Sequence, residues 1–334
     1  MMNLKANTIG QTDIKVTSLG FGGAPLGAVG GRITDEEAAA ILKAAYDGGI
    51  RYFDTAPLYG HGLSEKRIGT TLKSFKRSEF VLSTKVGRLL VSLAEGQRNE
   101  GMRDKEPFSI RYDYSYSAAR TSLETSIERL GFDRIDILLC HDIDLWTHGD
   151  DQPEIFKAAA DGILPALSDL RKEGVIGAFG LGVNEWRVCS QVMDLFDVDC
   201  FLLAGRFTLL EQEPLDEFLP KCVDKNVSVI VGGPYNSGLL ASEDRKRATY
   251  DYKPVDDSRW DRAQRIRAVC QNHDTDMRTA ALQYPLQHPA VASVIPGMWS
   301  LDEVEMNLDL MGQDIPLELW NDLAGAGLVR KILS

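Results

Sequence analysis

The chain has 334 residues, 44% hydrophobic and 26% charged, the proportions of an ordinary soluble globular protein with ample length for a large core. Its 37 basic and 49 acidic residues give a formal net charge of −12, which argues against nucleic acid or an anionic membrane as the main partner, since both require a basic footprint. No stretch reaches the roughly 18 apolar residues of a membrane span, the first residues carry no signal-peptide run, and Cys140, Cys189, Cys200, Cys222 and Cys270 form no C-x-x-C pair, so a reduced, cytoplasmic setting is expected.

Short apolar runs alternate with amphipathic helical patterns along the whole chain. "IKVTSLGFG" is the first strand region, and "ITDEEAAAILKAAYDGG" reads as a helix with a Thr/Asp start and a Gly-Gly stop. "IRYFDT" is a strand, "LSEKRIGTTLKSF" a helix, "EFVLSTKVG" a strand, and "SAARTSLETSIERLG" a helix closed by Gly131. "RIDILLCHD" precedes one long helical pattern, "IFKAAADGILPALSDLRKEG". "VIGAFGLGV", "DCFLLAG" and "VSVIVGG" are strands separated by the helices "EWRVCSQVMDLF" and "LDEFLPKCVDKN". Helical "RWDRAQRIRAVCQNH" and "MRTAALQYPLQH" lead to an eighth strand, "VASVIPG", and a last helix, "LDEVEMNLDLMG".

These are eight β–α steps with no hairpin return between them. The strands are continuous apolar runs, the pattern of strands buried on both faces. The closed solution is an α/β fold of the (β/α)8 TIM-barrel type, whose working face lies at the C-terminal strand ends. Residues 1–334 are read as one such domain. An open doubly wound sheet competes, but "GFGGAP" from Gly20 fails at the third glycine of the dinucleotide fingerprint. "LKANTIGQTDIKVTSLG" suggests an N-terminal β-hairpin around Gly10 and Gln11 that plugs the barrel bottom. Residues 88–115, residues 142–154 and the segment after Leu240 are long connections on the working face, where long loops are usually functional.

Consecutive strand ends carry chemistry. Strand two ends on Asp54 and its loop offers Tyr59; strand three ends on Lys85; strand four ends on His141. Tyrosine's ordinary pKa, about 10, is too high for acid–base work near neutrality, and a nearby ammonium should lower it. A carboxylate would hold that lysine charged and aimed. A histidine can hydrogen-bond a substrate oxygen, and the phenol can give a carbonyl its proton or, as phenolate, take one from an alcohol. Leu26, Tyr112, Tyr114 and Trp146, on mouth-facing segments, are candidate substrate walls beside Tyr59 and His141.

The motifs "YFDTAPLYG", "STKVG" and "LLCHD" resemble those of the aldo-keto reductases, and the resemblance runs from Leu19 to Asn307. It implies that Asp54, Tyr59, Lys85 and His141 form the catalytic tetrad and that a nicotinamide cofactor lies across the barrel mouth. Cofactor contacts implied in this way are Gly22, Gly23, Asp54, Asn184, Arg206, Gly232, Pro234, Tyr235, Asn236, Gly238, Leu240, Ile295, Pro296, Gly297, Glu303 and Asn307. Members selective for the 2′-phosphate carry basic residues after the Ile-Pro; here those places hold Gly297 and Glu303, which implies NAD rather than NADP, with NADP possible. The stretches "APLYGHGLSEKRIGTTL", "YDYSYSAARTSLETSIERLGFDRIDIL" and "PYNSGLLA", together with Asp142, further resemble the aldose 1-dehydrogenases acting on sugars such as L-fucose, L-galactose or D-arabinose, and the pyridoxal 4-dehydrogenases. The implied reaction is oxidation of a cyclic hemiacetal to a lactone. Alternatives are an NADPH-dependent carbonyl reductase, a cofactor-binding regulatory subunit, and a metal-dependent hydrolase built on His141, Asp142, Asp144 and His148. No metal is expected.

Overall fold

The computed structural model describes residues 2–27, 33–93 and 107–332. The chain opens with β1 (Ala6–Thr8) and β2 (Lys15–Thr17), an antiparallel hairpin whose turn is aided by Gly10 at φ +51°. Then follow β3 (Phe21–Gly22), α1 (Asp35–Gly48), β4 (Tyr52–Asp54), α2 (Leu63–Leu72) and β5 (Val81–Val86). A second hairpin, β6 (Arg88–Ser92) and β7 (Phe108–Tyr112), precedes α3 (Tyr116–Leu130), β8 (Ile137–His141), α4 (Leu145–His148), α5 (Gln152–Asp161) and α6 (Ile163–Lys172). Next come β9 (Ala178–Val183), α7 (Trp186–Leu195), β10 (Cys200–Ala204), α8 (Phe218–Asp224), β11 (Ser228–Gly232) and a third hairpin, β12 (Thr249–Tyr250) with β13 (Lys253–Pro254). The described chain finishes through α9 (Asp257–Asn272), α10 (Met277–Gln283), β14 (Val291–Ile295), α11 (Leu301–Met311) and α12 (Leu317–Gly325).

Eight strands pair in parallel in the order β14-β11-β10-β9-β8-β5-β4-β3. Parallel bridges from Leu19 to Val294 and from Gly22 to Gly297 join the last strand to the first and close the barrel. Every residue of β8, β9, β11 and β14 is buried, which is why their sequences are unbroken apolar runs. Gly180 is demanded by packing: a Cβ there would stand 1.6 Å from the Cys200 carbonyl oxygen. The first hairpin does plug the bottom, for Ile9 and Val16 are fully buried against Ile137, Ala178, Cys200, Ile230 and Ala292. Helix ends follow local chemistry. Thr34 and Glu37 form a reciprocal capping box at the start of α1, and Gly49 ends it at φ +112°.

Two sequence expectations are corrected. The connections after β5 and β11 contain antiparallel hairpins, so the β–α steps are not free of return strands. Of the 88–115 connection, residues 94–106 lie outside the described residues. The single helix expected after β8 is two, because the Tyr114 carbonyl reaches the chain at Gly162 and accepts from the Ile163 amide at 2.9 Å; a Cβ on Gly162 would sit 2.4 Å from that oxygen. No described helix is long and apolar enough to cross a membrane.

Candidate active site

Asp54 ends β4 and Lys85 lies near the end of the neighbouring β5, so their side chains enter the barrel mouth side by side. Both are buried, at 2% and 1% exposure. Lys85 Nζ donates to both Asp54 oxygens, at 2.9 and 2.7 Å, and to the Thr55 carbonyl at 2.9 Å, which uses all three of its hydrogens. Ser83 Oγ adds a 2.7 Å donation to Asp54 Oδ1. Burial nevertheless holds the Asp54 carboxyl above its ordinary pKa, with Lys85 pulling the other way.

Tyr59 stands on the turn after β4. Its amide donates to the Ala56 carbonyl at 3.1 Å, and its carbonyl accepts from the Ser64 amide at 3.2 Å. Gly60 continues the turn at φ +64°, and Gly27 lets another loop pass close: a Cβ there would fall 2.2 Å from the Tyr59 carbonyl carbon. Lys85 Nζ lies 5.0 Å from the Tyr59 ring centroid, and the His141 ring meets it edge-on at 6.2 Å. The expectation that Lys85 lowers the phenol's pKa is not met. Burial pushes Tyr59 well above the ordinary tyrosine range, the charges of Asp54 and Asp142 push the same way, and Arg88 opposes them.

His141 closes β8, next to β5 in the barrel. Burial first, then the positive charges of Arg88 and Lys85, hold the imidazole well below its ordinary pKa, so it is neutral. Its Nε2 lies 3.3 Å from Asp142 Oδ2, and its buried Nδ1 has no partner among the described residues. Asp142, buried and left-handed at φ +47°, pairs with Arg88 and accepts from Asn184 Nδ2 at 3.3 Å. Burial raises its carboxyl to about 6 against the pull of Arg88. A neutral hydrogen-bonding imidazole, a protonated phenol and a buried ammonium–carboxylate pair therefore face one mouth. Such a set can polarise a carbonyl oxygen and pass it a proton, or reverse both.

The residues expected to hold a cofactor separate into two groups. Asn184 follows β9 and its amide donates to Asp144 at 2.6 Å; Gly232 ends β11, and Pro234 follows it after Gly233, which was not among the expected contacts; Pro296 and Gly297 follow β14. Gly233 and Gly297 expose backbone at the mouth, and Gly238 turns at φ +98°, a conformation suited to close approach of a phosphate-bearing ligand. Tyr235 donates to Asn307 Oδ1 at 2.7 Å, Asn307 Nδ2 donates to the Glu303 carbonyl at 2.7 Å, and the Glu303 carboxylate accepts from the Trp299 amide at 2.6 Å. No Lys or Arg lies between Ile295 and Asn307. The chain thus offers open backbone, an amide and an acid where a nicotinamide dinucleotide would lie, and this donor set fits one.

Other expected contacts are occupied elsewhere. Leu240 is fully buried in the core. The Asn236 side chain bridges the Gly205 carbonyl (3.0 Å) and Thr208 Oγ1 (2.6 Å). The Gly22 amide serves closure, donating to the Pro296 carbonyl at 3.0 Å, and the Gly23 amide extends the pairing of β3 with β4, donating to the Asp54 carbonyl at 2.8 Å. Ile295 is buried in the barrel wall, and Arg206 grips Asp251 through two contacts of 3.0 and 3.1 Å. Among the expected substrate walls, Tyr112 and Trp146 are exposed, whereas Leu26 is fully buried. Tyr114 is buried as well; its hydroxyl sits 3.0 and 2.7 Å from the carbonyls of His141 and Asp142 and braces the end of β8. His148 is tied to the Asp142 carbonyl at 2.8 Å, and no three His, Cys, Asp or Glu among the described residues are placed to hold a metal ion.

Three residues that sequence reasoning passed over stand at or near this mouth. Arg88 directly follows the lysine strand, and the signal was a cation there opposite an acid directly after His141. Tyr252 was signalled by "TYDYKP", two short runs flanking a two-residue turn. Arg278 contacts Met306 Sδ at 3.2 Å, beside the Tyr235–Asn307 link, while its charge is taken by Asp276 at 2.5–3.1 Å.

Residues 18–325 match the sequence model described as "Aldo/keto reductase family". The chain is 37% identical to a pyridoxal 4-dehydrogenase of Microbacterium luteolum, covering 98% of this chain and all of that one. It is 39% identical to a D-threo-aldose 1-dehydrogenase of a Pseudomonas species, over 95% of each. Among solved structures, the holo form of an aldo-keto reductase from Bacillus halodurans superposes with a TM-score of 0.77 at 26% identity, covering 99% of both chains.

Proposed function

The chain belongs to the aldo/keto reductase family and is an oxidoreductase of that family, and from that premise we propose that residues 1–334 form a single-domain, NAD-preferring dehydrogenase that oxidises a cyclic hemiacetal to a lactone. The observation that carries the reading is the convergence of Asp54, Tyr59, Lys85 and His141 at one barrel mouth, with Lys85 bound to Asp54 and facing the Tyr59 ring. The names of the two relatives, one acting on aldoses at C1 and one on pyridoxal, support the substrate class.

A bound nicotinamide dinucleotide supplies the hydride acceptor. Asn184, Gly232, Gly233, Pro234, Gly238, Pro296, Gly297, Glu303 and Asn307 are the residues proposed to hold it. His141 donates a hydrogen bond to the anomeric oxygen and aims it at Tyr59. The Tyr59 phenolate takes the anomeric O–H proton as the C1–H bond breaks and the C1=O bond forms, leaving a protonated phenol and a lactone. In the reverse direction the protonated phenol returns that proton. Lys85 and Asp54 keep each other charged and fixed beneath the Tyr59 ring. Preference for NAD follows from Glu303: a carboxylate repels a 2′-phosphate, and Arg278, which contacts Met306 beside Asn307, is held by Asp276. A cytoplasmic setting fits five buried, unpaired cysteines.

Pyridoxal as the hemiacetal is the second reading, favoured by the 37% identity to the Microbacterium enzyme across its full length. The test is a panel of L-fucose, L-galactose, D-arabinose and pyridoxal with NAD, followed by NADH absorbance, with NADP in parallel. Turnover of at least one hemiacetal with NAD is expected. No turnover of any of them would sink the proposal, and a strong preference for NADP would overturn the cofactor assignment.

A further inference from the structure

The β12–β13 hairpin carries an unusual turn. Thr249 pairs with Pro254 and Tyr250 with Lys253, which leaves only Asp251 and Tyr252 at the tip. Both are left-handed, at φ +49° and +60°. A two-residue turn of this hand normally takes Asn-Gly or Asp-Gly, because the second position penalises a side chain and most of all a bulky one. Here that position holds a tyrosine, and its ring is not packed away: Tyr252 is 79% exposed, the most exposed of the large hydrophobic residues.

The hairpin is tethered. Arg206, at the end of β10, grips Asp251 bidentately, and its guanidinium lies 5.1 Å from the ring centroid of Trp146 in the segment after β8. On the other side of the turn's base, Tyr250 donates to Glu211 at 2.5 Å and packs under Arg259, 4.2 Å from its ring centroid. Through Arg206, Asp251 and Trp146 the turn is joined to the segments after β10 and β8, which places it on the barrel's C-terminal face. A strained aromatic, tethered from two sides yet left bare over the working face, is an arrangement that gains nothing for the fold itself.

We propose that Tyr252 is a specificity-determining residue that lays its ring on the apolar face of a six-membered cyclic substrate seated over Tyr59, a role that rests on the dehydrogenase reading above. Either a pyranose C–H face or a flat pyridine presents that chemistry. Trp146, fixed by Arg206, forms the adjoining wall.

The experiment compares Tyr252→Ala, Tyr252→Phe and Tyr252→Gly with the wild-type full chain. KM and kcat are measured for D-arabinose, L-fucose and pyridoxal, and NAD affinity by quenching of tryptophan fluorescence. Removing the ring (Ala, Gly) should raise KM about tenfold for the preferred substrate and change kcat and NAD affinity by less than about threefold. Phe should keep KM near wild type. Gly relieves the left-handed strain, so its melting temperature should equal or exceed the wild-type value, which separates loss of the ring from loss of the fold. Whether sugar or pyridoxal KM moves more tells which ring the residue serves. An unchanged KM in the Ala variant overturns the proposal; so does an equal loss of NAD affinity, which would make the hairpin a cofactor strap. If the wild type oxidises nothing in the panel, the dehydrogenase reading fails on its own. The same KM ratio, taken then for NADPH-driven reduction of pyridine-3-carboxaldehyde, decides the role of Tyr252 separately.

Discussion

Arg88 and Asp142 form an ion pair at the barrel mouth, and the same Asp142 carboxylate stands 3.3 Å from His141 Nε2. The carboxylate therefore faces three groups, Arg88, His141 and the Asn184 side-chain amide, and His141 is expected to aim the substrate. Burial raises its carboxyl to about 6. As pH falls through that value Asp142 takes up a proton, and the negative charge facing Arg88 and standing beside His141 is lost. The kcat/KM profile should show an acid limb near that pH. In Asp142→Asn, which cannot titrate, the limb should vanish and kcat/KM at neutral pH should drop roughly tenfold or more. A limb that survives in the variant would remove Asp142 from the site's proton chemistry.

Tyr59→Phe should lower turnover by roughly 10²–10⁴-fold, the usual contribution of a positioned acid–base group. NAD binding, read by fluorescence quenching, should stay nearly unchanged. A variant that keeps most of its rate would show that the acid–base group lies elsewhere.

The raised pKa of Tyr59 sets a direction for pH as well. Its phenol stays protonated well above the ordinary tyrosine range. Oxidation draws on the phenolate, whose fraction rises with pH, whereas reduction draws on the phenol, which remains abundant. Oxidation of a hemiacetal should accelerate from about pH 7 to about pH 10 while reduction shows no alkaline fall over that span. Paired initial rates in the two directions check this. A fall in reduction centred near pH 10 would mean that the phenol's pKa is ordinary, and a fall below about pH 9 would mean that it is lowered.

How far the sequence disclosed this site depends on the kind of segment. Asp54, Lys85 and His141 were legible because strands buried on both faces are uninterrupted apolar runs, so a charge at the end of one stands out and the strand order places the ends together. Loop residues lack such a rule. Leu26 and Tyr114 looked mouth-facing, but whether a loop side chain turns inward is decided by tertiary packing, and both are buried. Arg88 and Tyr252 lie on short antiparallel pairs outside the barrel, whose pairing no periodicity announces. The break between α5 and α6 depends on the approach of the Tyr114 carbonyl from a distant segment, while the local pattern continues as a helix across Gly162.

The buried Asp54–Lys85 pair should matter for the fold as well as for chemistry. Removing one member leaves the other charged, buried and unpaired, at a cost of about 3–5 kcal/mol. Asp54→Ala and Lys85→Ala should each lower the melting temperature markedly. The double variant should cost less than the sum of the two, because each single change already strands the partner. Strict additivity would mean that the two charges do not depend on each other.

Glu303 should govern the choice of cofactor. Its carboxylate accepts from the Trp299 amide, so it is fixed at the start of α11, among the residues proposed to hold the cofactor. Glu303→Gln keeps the side chain's length and removes the charge. Glu303→Lys reverses the charge and offers a partner for a 2′-phosphate. The ratio of kcat/KM with NAD to that with NADP should exceed about tenfold in the wild type, narrow in the Gln variant and narrow further, or invert, in the Lys variant. The Gln variant keeps a side-chain oxygen that can accept from the Trp299 amide and the Lys variant does not, so a loss common to both cofactors that is confined to Lys would report damage to that turn, whereas a change in the ratio reports charge. A ratio that stays constant across all three proteins would exclude Glu303 as the discriminator and leave the preference to the pairing of Arg278 with Asp276, which Asp276→Asn would then release.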